Sequence, residues 1–225
     1  MPEFVLESLE RKQRYKLIAG AIIPRPIALV TTLDADGRCN AAPFSAFNYV
    51  SEDPPLIVLG LQVHPDGSPQ GGEEKDTTRN IRTNGELVVH LVDEPMFDAM
   101  VHCAVDFPAG TSEPEAVGLR LAPSRFVKPP RLADAPFALE CRVTQTLDVS
   151  TFRTIAICEV ISVWARDGLV DPKTLNIDLS AYQPIGRLTG ASYCRTGDTI
   201  RKPIPTLSDF LTAAGKRNPG SASEG

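Results

Sequence analysis

PRPIALVTTLDADGRCNAAPFSAFNYVSEDPP, residues 24–55, says more about the architecture than any other part of the sequence. Residues 27–33 are aliphatic and β-branched, which favours a strand. The tetrapeptide Asp-Ala-Asp-Gly at 34–37 predicts a hairpin turn, and residues 38–50 predict the strand that returns from it. The prolines at the start of the stretch must lie at the beginning or the edge of a strand, because proline cannot donate to the ladder. We therefore expect antiparallel β-structure.

Strand patterns continue on the C-terminal side of this stretch. One short helix of about two turns is predicted within 75–86, beginning at Asp76 and ending at Gly85. About six strands that pair as hairpins favour a mainly β fold, a small closed barrel with a few short peripheral helices. Apolar or alternating runs predict the strands that follow the first hairpin: 56–61, 86–92, 137–149 and 151–166.

Composition excludes several classes of protein. The chain has 225 residues with 23 Lys+Arg and 28 Asp+Glu, so its formal charge is −5. This balance argues against a general nucleic-acid or anionic-membrane binder, which needs a basic face. No apolar run reaches the ~18–20 residues of a membrane span, and the charged N-terminus has no signal-peptide core. The five scattered cysteines match no zinc or disulfide spacing, so we expect a cytoplasmic protein.

No group of side chains predicts acid–base, nucleophilic or metal chemistry. His90 lies inside a predicted strand, where a core histidine is the simpler interpretation. His102 and Cys103 are neighbours on a predicted helix and would point about 100° apart, too far for a dyad. Metal-ligand spacings and nucleotide-binding glycine motifs are missing from the sequence. We therefore expect no catalytic side chain and no metal site.

Two segments have features of a ligand site. Residues 75–80 (KDTTRN) open a helix, whose free N–H groups and partial positive charge suit an anion. The alternative is a solvated helix start with a salt bridge. Residues 40–55 form a small and polar strand that can offer backbone groups to the edge of a flat ligand. The alternative here is an edge strand whose polar residues face water.

Taken together, these segments resemble the flavin reductase-like, FMN-binding split-barrel family. The matching stretches keep the order and spacing of that family and cover most of residues 15–195. They are PRPIALVTTLDADGRCNAAPFSAFNYVSEDPP (24–55), KDTTRNIRTNGELVVHLV (75–92), PPRLADAPFALECRV (129–143) and GRLTGASYCR (186–195).

The resemblance implies a six-stranded Greek-key split barrel that forms a homodimer, with FMN bound non-covalently near the subunit interface. The implied contacts are with the phosphate, the ribityl chain and the isoalloxazine ring. Tyr193 is implied either near the flavin or as a structural aromatic. The residues implied to bind the cofactor are Arg25, Thr31, Thr32, Phe44, Ser45, Ala46, Phe47, Asn48, Lys75, Thr77 and Asn80.

The function implied is that of an FMN-dependent oxidoreductase, an NAD(P)H:flavin reductase that supplies a partner oxygenase. Two alternatives stay open: a flavoredoxin-like electron carrier, and a stand-alone FMN enzyme acting on a small organic substrate. Members of this family that work as two-component reductases often carry a late histidine, and here all three histidines precede residue 104. The implied division of the chain is an N-terminal extension (1–14), the barrel (15–205) and a C-terminal segment with a flexible tail (206–225).

Overall fold

A computed structural model describes residues 1–64, 72–108 and 110–216. The helices are α1 (Arg11–Ala21), α2 (Asp76–Asn84), α3 (Phe97–His102), α4 (Glu113–Ala116) and α5 (Leu207–Lys216), with 3-10 turns at Leu6–Ser8 and Glu94–Met96. The strands are β1 (Ala28–Leu33), β2 (Cys39–Phe44), β3 (Phe47–Glu52), β4 (Pro55–Gln62), β5 (Glu86–Leu91), β6 (Leu121–Ala122), β7 (Arg131–Leu132), β8 (Phe137–Ser150), β9 (Arg153–Ala165), β10 (Ile185–Arg187) and β11 (Tyr193–Arg195).

The fold is mainly β, as predicted, and its centre is one antiparallel sheet of seven strands in the order β2-β1-β5-β8-β9-β4-β3. The two edge strands, β2 and β3, follow each other in the chain and are joined by Ser45 and Ala46. The sheet therefore curls until its edges meet at this bend. Two small ladders, β6–β7 and β10–β11, lie outside the main sheet.

The predicted strand count differs from the observed one for a local reason. Residues 38–50 were expected to form one return strand, but Ser45 and Ala46 interrupt it and the chain changes partner there. Before the bend, β2 pairs with β1, and after it, β3 pairs with β4. One predicted strand is therefore two, at opposite edges of the sheet. Greek-key winding stays a prediction.

Alternate residues of β1 pack on opposite faces of the curled sheet, as its period of two requires. Ala28 and Val30 join a buried cluster to which β4, β5, β8 and β9 also contribute, together with Ile81 of α2. Leu29 points the other way, into a second cluster with Met96 and Met100. Since five strands share the first cluster, it is the interior of the barrel.

Helix α2 confirms the predicted helix, with a start one residue from the expected one. Lys75, and not Asp76, is the N-cap residue, and its side chain makes no capping hydrogen bond. Gly85 ends the helix in the left-handed conformation, with φ of 68°. Ile81 is 1% exposed and fixes the helix against the barrel interior. This contact holds the start of α2 at one end of the barrel.

The two terminal segments lie outside the sheet. Helix α1 has no buried residue and spans the predicted boundary between residues 14 and 15, and the division of the chain into three segments stays a prediction. Near the other terminus, α5 lies within the predicted C-terminal segment. Residues 217–225 of the predicted tail lie outside the described residues. Among the helices of the described chain, none is long and apolar enough to cross a membrane.

Candidate functional site

A cavity of about 630 Å³ opens beside the bend that joins β2 to β3. The bend forms one wall, and residues from α1 form another. The start of α2 closes one end, and residues from α3 and the segment after it complete the floor. This volume is in the range of pockets that hold small molecules and cofactors.

Lys75 and Thr77 line the end of the cavity at the start of α2. The Thr77 hydroxyl accepts a hydrogen bond from Asn40 Nδ2 at 2.9 Å, so its own hydrogen is left to donate. Behind them, Thr32 Oγ1 accepts from Asn80 Nδ2 at 3.0 Å and from Asn40 Nδ2 at 3.4 Å. This buried polar network sets the orientation of Asn40 and Thr77, which both line the cavity.

The bend itself supplies Phe44, Ser45 and Ala46 to the cavity wall. Gly60 of β4 approaches it closely, because Gly60 N–H donates to Ala46 O at 2.7 Å. A Cβ at position 60 would lie 2.8 Å from Ala46 Cβ, which explains why a glycine stands there. The bond between Gly60 and Ala46 extends the β3–β4 ladder as far as the bend, so this strand pair positions the cavity wall.

Arg25, Lys75, Arg153 and Arg187 line the cavity, and within the described chain none of them forms an ion pair. Seven arginines outside the cavity are paired with carboxylates. The paired ones are Arg38, Arg79, Arg82, Arg120, Arg142, Arg166 and Arg195. The cavity is thus lined by four cations and by three carboxylates, of which Asp76 pairs with Arg79. The excess of positive charge favours an anionic ligand.

Arg25 holds the wall of the cavity together. Its guanidinium donates to Ala19 O and to Ile22 O, at the C-terminal end of α1, and to Leu188 O at 2.9 Å. Its Nε lies 3.5 Å from Ser45 Oγ, at the limit of a hydrogen bond. Since its donors are used by protein carbonyls, Arg25 acts first as a clamp that fixes α1 beside the bend.

Tyr193 is both a structural aromatic and a residue of the cavity wall. Its ring packs edge-on against Phe97, with centroids 4.8 Å apart. The Arg187 guanidinium lies over the same ring at 4.4 Å and donates to the Tyr193 hydroxyl. The structural role of the ring is therefore observed, and its proximity to a flavin stays a prediction.

Acidic side chains also reach the cavity. Glu113 Oε2 accepts from Ala41 N–H at 2.9 Å, and burial raises the pKa of this carboxyl. Asp106 Oδ1 lies 3.5 Å from His64 Nδ1. Burial also raises the pKa of the Cys103 thiol to about 12, so this thiol is not an activated nucleophile.

The residues that the resemblance implied fall into three groups. Arg25, Phe44, Ser45, Ala46, Lys75 and Thr77 line the cavity. Thr32 and Asn80 are buried and support Asn40 and Thr77 from behind. Thr31, Phe47 and Asn48 lie elsewhere: the Thr31 hydroxyl donates to Pro130 O at 2.7 Å, Phe47 packs against the barrel interior, and Asn48 is exposed.

Other cavity residues escaped the sequence analysis, among them Gln62, Arg153 and Glu113. Arg153 lies in a segment that the sequence analysis interpreted only as a strand. The available signal for Arg153 was its place at the start of an otherwise apolar strand, in TFRTIAICEV (151–160). Two further basic residues of α2 are compensated by carboxylates, because Arg79 pairs with Asp76 and Arg82 pairs with Glu74 and Asp148.

The histidine inside β5 has a structural role. His90 is fully buried, its Nδ1 lies 2.8 Å from Leu29 O, and its Nε2 accepts from Leu132 N–H at 2.9 Å. These partners fix a neutral ring that donates from Nδ1. His102 is exposed at the end of α3. In the described part of the chain, no group of three or more His, Cys, Asp or Glu could hold a metal ion.

Comparisons with known proteins agree with one another. The family model described as flavin reductase like domain matches residues 20–186. The crystal structure of 2-nitrobenzoate 2-nitroreductase NbaA of Pseudomonas fluorescens is similar, with 42% identity, a TM-score of 0.83 and coverage of 92% of this chain and 98% of that one.

Two further relatives extend this result. Nitrilotriacetate monooxygenase component B of Bacillus cereus has 31% identity and a TM-score of 0.82, and the match covers 90% of this chain and 98% of that one. The uncharacterized protein BH2278 of Halalkalibacterium halodurans is 38% identical over 207 residues, which are 90% of this chain and 96% of that protein.

Proposed function

The chain belongs to the flavin reductase-like family of flavoprotein oxidoreductases, and from this premise we propose that it is an FMN-binding NAD(P)H:flavin reductase that supplies reduced flavin to a partner oxygenase. The flavin would bind non-covalently in the cavity beside the bend. The similarity to component B of a nitrilotriacetate monooxygenase, 31% identical, supports a partner oxygenase.

The observation that carries the proposal is the chemistry of the cavity. At one end, the start of α2 offers free backbone N–H groups, the Thr77 hydroxyl and the Lys75 ammonium, none of which has an anionic partner within the described residues. This set fits a phosphate. Along the wall, the bend presents Phe44 and the backbone of Ser45 and Ala46, which suits the face and polar edge of an isoalloxazine ring. A phosphate end and a flat, partly apolar wall together match FMN.

A bound flavin supplies the redox chemistry in this proposal, and the protein supplies position and electrostatics. Lys75 and Thr77 anchor the ligand at the α2 end. Arg25 keeps α1 beside the bend, so that the wall is preformed. The other cavity cations add positive potential around the site, which favours a ligand that becomes more negative on reduction. No side chain has to act as an acid or a base in this proposal.

A second candidate function is the reduction of a small nitroaromatic substrate by the bound FMN. The similarity to NbaA, whose structure is 42% identical, favours it. The two functions share the flavin site and differ in which molecule takes the electrons. Reduction of free flavin by the protein would support the reductase, and direct reduction of a nitroarene would support the second candidate.

The test is anaerobic reduction of the purified, FMN-loaded protein. We expect one equivalent of FMN to bind and NADH or NADPH to bleach its visible absorption. Oxidised free FMN and 2-nitrobenzoate are then offered separately as acceptors. Failure to bind FMN would refute the proposal at its base. Binding without reduction by either nicotinamide would instead favour the electron carrier.

We further propose that the working form is a homodimer in the cytoplasm, with the cavity near the subunit interface. Helix α1, which lines the cavity, leaves Tyr15, Ile18 and Ile22 at 57%, 44% and 62% exposure. Apolar side chains exposed side by side next to a ligand site suit a second subunit. All five cysteines carry free thiols, which suits a reducing compartment.

A further inference from the structure

Arg153 is the first residue of β9 and lies directly opposite Gln62 of β4. Its guanidinium Nη1 donates to Gly60 O at 3.0 Å. With the Gln62 amide turned so that its oxygen faces the guanidinium, Nη2 donates to Gln62 Oε1 at 2.7 Å. These contacts hold the planar group against the cavity wall, next to the bend.

The contacts of Arg153 leave its charge uncompensated. Both of its acceptors are neutral oxygens, and it forms no ion pair in the described parts of the chain. The side chain is half-buried, and desolvation lowers its pKa. A cation that is partly removed from water is destabilised unless an anion compensates it. A guanidinium also has five donors, and two or three of them remain for a ligand.

A purely structural role does not account for this arrangement. A neutral amide side chain could donate to the Gly60 carbonyl without burying a charge. Elsewhere in this protein, carboxylates compensate the charge of seven arginines. Arg82, for example, pairs with Asp148 at 2.5 Å. At Arg153 no carboxylate of the described residues does so, and the side chain lines the cavity.

We propose that Arg153 binds an anionic oxygen group, a phosphate or a carboxylate, of the ligand that occupies the cavity. The guanidinium fork matches the two oxygens of either group. The inference rests on the proposed function, because it takes the ligand to be the flavin or the substrate reduced beside it. The phosphate would be that of FMN, and the carboxylate would be that of an aromatic or other small organic acid.

The experiment compares Arg153→Gln and Arg153→Lys with wild type on two matched pairs of ligands. The first pair is FMN and riboflavin, which differ by the phosphate, with dissociation constants measured by fluorescence quenching. The second pair is 2-nitrobenzoate and 2-nitrobenzamide, which differ by the charge, measured by equilibrium dialysis on FMN-loaded protein. The control variant is Arg142→Gln, an exposed arginine of β8 that pairs with Glu86 and does not line the cavity.

Arg153→Gln should weaken the charged member of one pair about tenfold or more and its neutral partner less than about twofold, since charge-assisted hydrogen bonds are the strong ones. Arg153→Lys should retain part of that affinity. The pair that responds identifies the source of the anion. The neutral ligands also report whether the variant is folded, and Arg142→Gln should match wild type throughout.

Equal effects on both members of each pair, or no effect on either, would overturn the role of Arg153. Only this inference fails if wild type binds both flavins and Arg153→Gln changes the affinities for the charged and the neutral ligand of each pair equally. If wild type binds neither FMN nor riboflavin, the proposed function fails, and the inference falls with it.

Discussion

Asn40 links two elements that are far apart in the sequence. Its amide donates to Thr77 of α2 at 2.9 Å and reaches Thr32 of β1 at 3.4 Å. It is 6% exposed, so both bonds are made away from bulk water and help to fix the hydroxyl that faces the cavity. At the scale of the residue, affinity for an anion depends on this support as well as on the groups that touch the ligand.

The double variant Lys75→Ala, Thr77→Ala tests the phosphate end of the cavity. Each charge-assisted hydrogen bond lost is worth about 1.5–3 kcal/mol. We therefore expect the dissociation constant for FMN to rise by roughly a hundredfold or more, and that for riboflavin to change little. Fluorescence titration measures both. The control is Thr83→Ala, an exposed residue of the same helix whose hydroxyl bonds only to Arg79 O. An unchanged FMN affinity in the double variant would refute the placement of the phosphate at the start of α2.

His90 should make the stability of the protein depend on pH. Burial lowers its pKa to about 4, against 6.5 for an exposed histidine. The unfolded chain therefore binds the proton more readily than the folded one, and folding is favoured most above pH 6.5. This stability is lost as the pH falls from about 6.5 to about 4, by about 3 kcal/mol in total.

Urea unfolding at a fixed protein concentration and several pH values measures this effect. The matched variant is His90→Gln, which keeps hydrogen-bonding groups and cannot titrate. The difference in unfolding free energy between wild type and His90→Gln should shrink on acidification, while carboxylates common to both cancel. A difference that stays constant between pH 7 and pH 4 would contradict the assignment.

From the sequence, residues that line the cavity could be named where the signal was local. Lys75 and Thr77 were identified because a helix start is visible in a few consecutive residues. Arg153 was missed because its meaning depends on the register of β9 against β4, which brings it opposite Gln62. Thr31 and Thr32 show the same limit, since neighbouring strand residues face opposite sides of the sheet. Only Thr32 joins the network behind the cavity.

At the scale of the element, the bend at Ser45 and Ala46 does two things. It moves the chain from one edge of the sheet to the other, and it forms the wall of the cavity. A continuous apolar-polar pattern over 38–50 does not reveal the change of partner, because both halves are genuine strands. The first hairpin and helix α2 were predictable because each ends at a glycine in the left-handed conformation. These are Gly37 in the turn and Gly85 after the helix.

Gly60→Ala tests the close approach of β4 to the bend. The new methyl group would lie 2.8 Å from Ala46 Cβ and 3.3 Å from Arg153 Nη1. We expect a loss of about 1–3 kcal/mol in unfolding free energy, typical of overpacking, together with weaker FMN binding. Urea unfolding and fluorescence titration measure the two effects.

Two further variants make this test specific. Adding Ala46→Gly to Gly60→Ala removes the clashing methyl and should restore part of both properties. Gly20→Ala, in α1, meets only an ordinary contact at 3.5 Å and should be neutral or slightly stabilising. If Gly60→Ala behaved like Gly20→Ala, the close approach would not constrain the bend.

At the scale of the whole molecule, the exposed apolar face of α1 predicts self-association. Sedimentation should give a species of twice the 24.3 kDa chain mass at micromolar concentration. Ile18→Glu combined with Ile22→Glu should shift this species toward the monomer. Leu175→Asn is the control, since Leu175 is 75% exposed and tolerates asparagine at its φ of 58°. A 24.3 kDa species of wild type that binds FMN would exclude the dimer as a requirement.

The closure of the barrel at Ser45 and Ala46 also decides where the chain can be cut. No ladder joins β2 to β3 in the observed strand order, so the covalent chain, and not a row of hydrogen bonds, seals the cylinder there. Circular permutation with new termini at this seam would cut the connection between the two unpaired edges and let them separate, and separated edges promote aggregation. New termini in the turn at 34–37 would leave the seam intact. The connection at Ser45 and Ala46 should therefore tolerate new termini less well than the turn at 34–37.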